Sequence, residues 1–509
     1  MAQPIQNITI SAPGFYGLNT QDSPVGLDPA FASVADNCVI DKQGRIGTRQ
    51  GYEYVTTNGA TVLGSSRGIE SFLQFCDRSG DEYEISAGNL KIFTGLETLV
   101  DSTPASYTPT GNNWKMVSFN NHVYMAQRQH ECLIGTDEGG AFVVDTQSNH
   151  TEAVGTMPQA HELLAAYGRL WAADIQDNKY TVYWSDLLNG AGWAGGTTGS
   201  IDLTTVWPTG FDEVVALAAH NGFLIIFGKR SILIYEGASS PSTMTLVDTV
   251  AGVGCIARDS VVATGTDLLF LSDQGVRSFA RTVQEKSMPM RDISKNVRSD
   301  LISLMHSQTD PIKATYSANE AFYLLSFPSS NIVYCFDMRT PLQDGSHRVT
   351  TWTGMNPLSF HVSLDASLYI GGTNGIALYT GFRDNGDIYQ QRYFSNPLDF
   401  GTFTNLKFLK KFNLTVVGGG GTQATLNWGY DYSTAYAKQV FTFGSSAIAE
   451  YGVSEYGIGE YTASVLINTP KVNASGSGTV VTVGIEAQID GAGVSIQKID
   501  IHALLGRTI

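Results

Sequence analysis

The side chains that could carry acid–base, nucleophilic or metal chemistry in this chain are nine histidines, five cysteines and 47 carboxylates. Their spacing forms no catalytic constellation. The histidines are dispersed, with no HExxH pair and no two imidazoles at zinc-ligand spacing. His122 and His220 each stand beside a predicted hairpin turn, where a solvated loop histidine is the expectation. No GxSxG elbow and no GxxxxGK[ST] phosphate loop occurs, and glycines 418–421 have no lysine after them and read as a hairpin loop. Cys38, Cys76, Cys132, Cys255 and Cys335 are odd in number, far apart and free of CxxC pairs. That set argues against a disulfide framework or a zinc site, and for synthesis in a reducing cytoplasm. Among the carboxylates, Asp174, Asp186, Asp212 and Glu213 are those a closed ring of strands could gather at one mouth. Glycan hydrolysis would need such a pair flanking a sugar bond, but surface turns account for these four about as well. The nearest thing to a sialidase-type SxDxGxxW turn is SDQGVRSF from Ser272, which has shifted spacing, lacks the Trp and is not repeated. No catalytic, cofactor-binding or metal residue is assigned, and the protein is expected not to be an enzyme.

The elements that must position these residues recur. NNHVYMA from Asn120, YGRLWAAD from Tyr167, HNGFLIIFG from His220, TGTDLLFLSD from Thr264, SANEAFYLLSF from Ser317 and LDASLYIGGT from Leu364 each put a turn before a short apolar run. In several a second turn and run follow, so a hairpin repeats at roughly 45 to 53 residues, the length of a propeller blade. An extra module near the start, RGIESFLQF with DEYEISAGNLKIFTG, raises the expectation from six blades to six or seven. The one convincing helix runs from Asp292, with Asp292 as N-cap and Ile293, Val297, Leu301 and Met305 on one stripe.

The predicted fold class is therefore all-β: an N-terminal segment over 1–60, a β-propeller of six or seven blades over 61–395, and a C-terminal antiparallel β-sandwich over 396–509. In the opening segment Asp28-Pro29 is read as starting a short helix with Phe31, Val34 and Ala35 on one face. A hairpin then turns at Asp41-Lys42-Gln43-Gly44. The last 110 or so residues alternate apolar and polar side chains with period two, as half-buried strands do. Within them AEYGVSEYGIGEYTAS repeats Glu-Tyr, and Tyr451, Tyr456 and Tyr461 are candidate subunit-interface residues. A net charge of −16 works against static binding to nucleic acid, which needs cations to displace counterions. The N-terminus MAQPIQNITISAPG lacks a basic n-region and an apolar h-region, so no secretory signal is expected, and no apolar run is long enough to span a bilayer.

Gly17-Leu18-Asn19, Asp22-Ser23-Pro24, Ala32 to Asn37, Gly44-Arg45 and Arg49-Gln50-Gly51 together resemble the N-terminal signature of tail proteins from short-tailed bacteriophages. The stretch VAGVGCIARDSVVATGTDLLFLSDQGVRSF from Val250, with its Gly-x-Gly-Cys, and Gly506-Arg507 near the C-terminus are similar to the same family. The family is the podovirus tail nozzle, also called tail tubular protein B or tail hub. The resemblance implies a structural virion protein: a homohexamer below the tail adaptor ring that continues and gates the DNA-ejection channel. Its partners would be that adaptor and a tail fibre or tailspike, with genome DNA passing through unbound. It would be assembled in the host cytoplasm and located in the virion tail, with no cofactor. The alternative is a propeller-based tail protein that binds or degrades glycan.

Overall fold

The computed structural model describes residues 5–24, 26–64, 68–110, 113–285, 292–444 and 467–508. Antiparallel four-stranded sheets form at 69–101, 115–146, 162–202 and 214–251, followed by a three-stranded sheet at 262–278, four strands at 313–353 and a last sheet at 359–379. The opening strands pack one beside the next around the ring, with the 3-10 turn Arg258–Ser260 linking Val214–His220 to the three-stranded sheet, and Ser359–Val362 packs back on Ile69–Cys76. The chain is thus a β-propeller of six four-stranded blades, with the three-stranded sheet filling a further place in the ring. The fourth strand of the closing blade is Tyr52–Tyr54, which pairs with Gly375–Tyr379, so the N-terminal segment shuts the ring.

Each repeated seed is the turn between a blade's first and second strands with the second strand itself, and the run after it is the third strand. Asn120-Asn121 and Asn221-Gly222 both hold two consecutive positive φ values, the turn that matches strand twist and favours Asn and Gly. The apolar runs fill the spaces between blades. Trp171, Leu224, Ile226 and Leu233 lie in one such space, and Ile225, Phe227, Ile232 and Phe270 in the next. Each fully buried side chain of this size contributes roughly 1.5–3 kcal/mol.

Two sheets make the sandwich. One is built on the long antiparallel pair Asn405–Gly418 and Val494–Thr508, flanked by Ile5–Ser11 and by the hairpin Cys38–Ile40/Ile46–Thr48. The other orders Phe31–Asp36, Tyr389–Ser395, Val481–Ile489, Gln423–Tyr430 and Ala437–Thr442. Phe412, Leu414, Ile499 and Ile501 share one core with Leu426, Trp428, Val483 and Ile485. This second sheet runs on without a break through Gly17–Leu18 into the 313–353 blade, giving ten strands in all. The sandwich therefore takes in Tyr389–Ser395 and strands from 1–60 as well as the described strands that follow residue 396.

Two local expectations change. Phe31–Asp36 is a strand rather than a helix. Two sheet edges, Gly17–Leu18 and Tyr389–Ser395, are there to satisfy its backbone, and a bulge between Ala32 and Val34 mimics the helical spacing. Asp28 closes the turn before it, accepting the Ala30 and Phe31 N–H groups. The predicted helix begins later, as a 3-10 turn at Lys295–Val297 followed by α-helix Arg298–Ser307. Ile293, Val297 and Leu301 are buried and Met305 is half-buried, as expected. Asp292 accepts from the Ser294 hydroxyl and does not cap that helix. No helix among the described residues is long and apolar enough to cross a membrane.

Candidate functional site

The propeller axis collects charge. Lys115, Glu162 and Lys313 start or lie at the start of three inner strands, and Arg258 and Asp259 come from the 3-10 turn Arg258–Ser260. Asp259 pairs with Arg258 at 2.8 Å and with Lys313 at 2.7 Å, and Glu162 pairs with Lys115 at 3.3 Å and Arg258 at 3.8 Å. Arg258 also donates to the backbone carbonyls of Trp114 and His161 and, at 2.7 Å, to the Asn113 side-chain oxygen. One guanidinium thereby ties the second and third blades to the three-stranded sheet, and Lys313 adds the 313–353 blade. Burial alone would push the Asp259 carboxyl up, yet Arg258, Lys313 and Lys115 hold it well below the usual range. Glu162 sits farther from its cations, and there burial prevails and raises it.

Outside this layer opens a bowl of about 440 Å³ lined by Arg128, His161, Asp174, Lys179, Glu213 and Lys229, with Gln308 to Ile312 at its edge. Asp174 accepts from Arg128, and the His161 Nδ1 lies 3.1 Å from it. The His161 Nε2 is 3.3 Å from the Asn113 amide nitrogen, whose oxygen is already taken by Arg258 and Lys313. The amide therefore donates to Nε2. Nδ1 lies 3.1 Å from the Asp174 carboxylate and 3.0 Å from the Arg128 guanidinium, and in the neutral ring with Nε2 accepting it carries the proton toward Asp174. Burial first, then the charges of Arg258 and Arg128, lower His161 to about 4, so the ring is neutral at pH 7. At the rim, one oxygen of Glu213 takes both Lys229 (2.6 Å) and Lys179 (3.6 Å), and these hold its carboxyl below the usual range.

Of the four carboxylates singled out in the sequence, the fold brings Asp174 and Glu213 to this bowl and leaves the other two out. Asp212 is buried beneath a hairpin turn, accepting the Lys229 and Arg230 N–H groups. Asp186 closes a loop of the third blade through Thr197 and Leu187. Asp174 and Glu213 both carry cations, and both nitrogens of His161 are engaged. The arrangement acts as an electrostatic staple and offers an incoming group the cations at its rim. Among the described residues no group of three or more His, Cys, Asp or Glu could hold a metal ion. His122 is partly buried, 3.3 Å from Glu152 and edge-on to His150, and so differs from a freely solvated histidine. Tyr451, Tyr456 and Tyr461 lie outside the described residues. Arg258 and Asp259 showed in the sequence only as two adjacent charges in an apolar stretch, and Lys313 carried no warning.

A second cluster forms where the opening segment meets propeller and sandwich. The Arg49 side chain is fully buried, forks onto Asp384 at 2.7 and 2.8 Å, donates to Asn37 at 2.8 Å and lies 4.1 Å over the Tyr389 ring. Asn37 holds a positive φ of 53° and also binds the backbone of Gln390, Thr351 and Thr353. A Cβ on Gly51 would stand 1.9 Å from the Arg383 carbonyl oxygen, and one on Gly17 would stand 2.4 Å from that of Val349. Asn19 caps the turn at Gln21 and Asp22.

No family model matches the chain, and no curated protein does. Among solved structures it is similar to a streptogramin B lyase, with 12% identity over 61% of this chain and 93% of that one at a TM-score of 0.35. It is also similar to the extracellular domains of a one component system and a hybrid two component system of B. thetaiotaomicron, at 11% identity each. These cover 68% and 63% of this chain, with TM-scores of 0.30 and 0.29. The chain spans 44% and 51%, about half, of those two domains. Likeness at this level leaves the chemistry of the bowl to be argued from its own residues.

Proposed function

We propose that the chain is a structural subunit of a short-tailed phage tail, the nozzle that forms a hexameric ring below the tail adaptor and continues the channel for DNA ejection. The observation that carries this reading is the place of the residues bearing the resemblance. Gly17, Asn37, Arg49 and Gly51 are packing and hydrogen-bonding points of the junction between propeller and sandwich, and Asn19 closes the turn that leads out of Gly17–Leu18. A signature spent on fixing two units rigidly together suits an assembly scaffold. Charge agrees with it. A net −16 gives a wall that repels phosphates, so exiting DNA would slide without sticking. The stapled axis makes each propeller a solid disc that symmetry can close into a ring around a separate channel. The virion tail is then its location, and the adaptor ring and a fibre or tailspike are its neighbours.

The test is the native mass of the purified protein by light scattering, with negative-stain images, alone and with its adaptor. Hexameric rings with a central hole are expected; a monomer in both samples would overturn the reading. The open bowl on the axis favours a second reading, in which the propeller binds or degrades glycan. Release of sugar from bacterial polysaccharide by the purified monomer would establish that one instead.

A further inference from the structure

The eight-stranded sheet of the sandwich has one face on the core and one in water, and its charge is the reverse of the molecule's. Outside its core it carries Lys410, Lys411, Lys471 and Lys498 and a single acid, Asp500, in a chain of net charge −16, while Lys407 of the same strands is buried. Cross-strand register puts Lys411 beside His502 and Asn473, Lys471 beside Asn413, and Lys498 beside Thr415 and Ser11. The residue that follows each in sequence, Phe412, Val472 or Ile499, points into the core, so these lysines share the outer face. Lys410 joins them at a bulge in the same strand. Lys498 pairs with Asp500 at 2.8 Å; Lys410, Lys411 and Lys471 have no ion pair among the described residues.

Residues 61–395 hold 34 acids against 21 bases. One corner concentrates them: Asp77 and Asp81 on the first blade and Asp137 and Glu138 on the second, whereas Glu82 and Glu84 alternate with Tyr83 and lie on the other face of that strand. The ring of Tyr83, 5.0 Å from that of Phe142, holds the two groups side by side. Partial burial first, then Asp137 and the charges of Asp81 and Asp77, push the Tyr83 phenol up to about 12, as expected where carboxylates converge.

We propose that this lysine face docks on the acidic first- and second-blade corner of a second copy of the chain. Each copy then offers one surface of each sign, so the contact is head-to-tail and repeats around a ring. Charge complementarity favours this occupant over nucleic acid, which the acidic bulk of the chain would repel. The inference rests on the homo-oligomeric reading above and names the surfaces that reading leaves open.

Two triple reversals test it: Lys411→Glu/Lys471→Glu/Lys498→Glu, and Asp81→Lys/Asp137→Lys/Glu138→Lys. Mass is followed by sedimentation at low and high salt, with and without the adaptor ring, and the melting temperature serves as a fold check. The wild type should associate, and added salt should weaken that association. Each reversed protein should stay monomeric while melting normally, and an equimolar mixture of the two should associate again. If both variants form rings as the wild type does, the docking is wrong and the ring reading survives. A wild type that never associates overturns both. Retention of the wild type, but not of the lysine variant, on a DNA column with no change in mass would make the face a polyanion site and overturn the docking.

Discussion

Basic residues do two kinds of work in this molecule, on the propeller axis and on the outer sheet of the sandwich. On the axis Arg258 and Lys313 are buried, and short ion pairs and hydrogen bonds engage both. On the sheet Lys410, Lys411 and Lys471 stand in water. A buried charge must be matched at folding, because desolvation would otherwise cost several kcal/mol. A solvated one is free to meet a partner later. The difference teaches that the axial network holds blades together, whereas the sheet face is available for assembly.

Removing one partner from a buried pair gives the sharpest contrast. Arg258→Ala would leave Asp259 and Glu162 with only the lysines Lys115 and Lys313 beside them and strip the hydrogen bonds to Asn113, Trp114 and His161, and Arg49→Ala would strand Asp384 at the junction. Each should cost about 3–5 kcal/mol in chemical denaturation. A loss below about 1 kcal/mol would place the axis in the same class as surface pairs.

Acid comes next. The folded state keeps His161 neutral down to about 4, whereas an unfolded chain protonates it near its ordinary 6.5. Stability should therefore fall as pH drops from 6.5 toward 4, by up to about 3 kcal/mol from this residue. His161→Gln should flatten that part of the profile. The depressed Asp174 and Asp259 act lower down: their contribution is present above the ordinary carboxylate range and disappears as pH falls through their folded values. Glu162 opposes them, because its raised carboxyl costs stability as pH rises through the unfolded value. A pH profile unchanged in His161→Gln would remove the imidazole from the network.

The smallest effect belongs to the sheet. Lys411→Glu/Lys471→Glu/Lys498→Glu should shift monomer stability by no more than about 0.5 kcal/mol per site. A larger loss would mean that these lysines support the fold as those on the axis do.

Much of the architecture was legible along the chain. Hairpin seeds such as HNGFLIIFG announce themselves because turn chemistry and period-two burial act between residues a few positions apart. The sandwich strands were visible for the same reason, and so was the Ile293, Val297, Leu301 stripe. Phe31–Asp36 was not, because its state depends on two sheet edges, one of which, Tyr389–Ser395, lies more than 350 residues away. Asp174 and Glu213 could be picked as candidates, but nothing local distinguished them from Asp186 and Asp212, which fold into turns.

The sequence by itself determined the class of fold, the repeat and the acidity, since each follows from composition or from interactions within one hairpin. Only the tertiary structure decided that Arg258 would meet Asn113 and Glu162, that Tyr52–Tyr54 would close the ring, and that Lys411, Lys471 and Lys498 would share a face. These are pairings across long stretches of chain, and their partners are selected by ring closure and strand register rather than by neighbours in sequence.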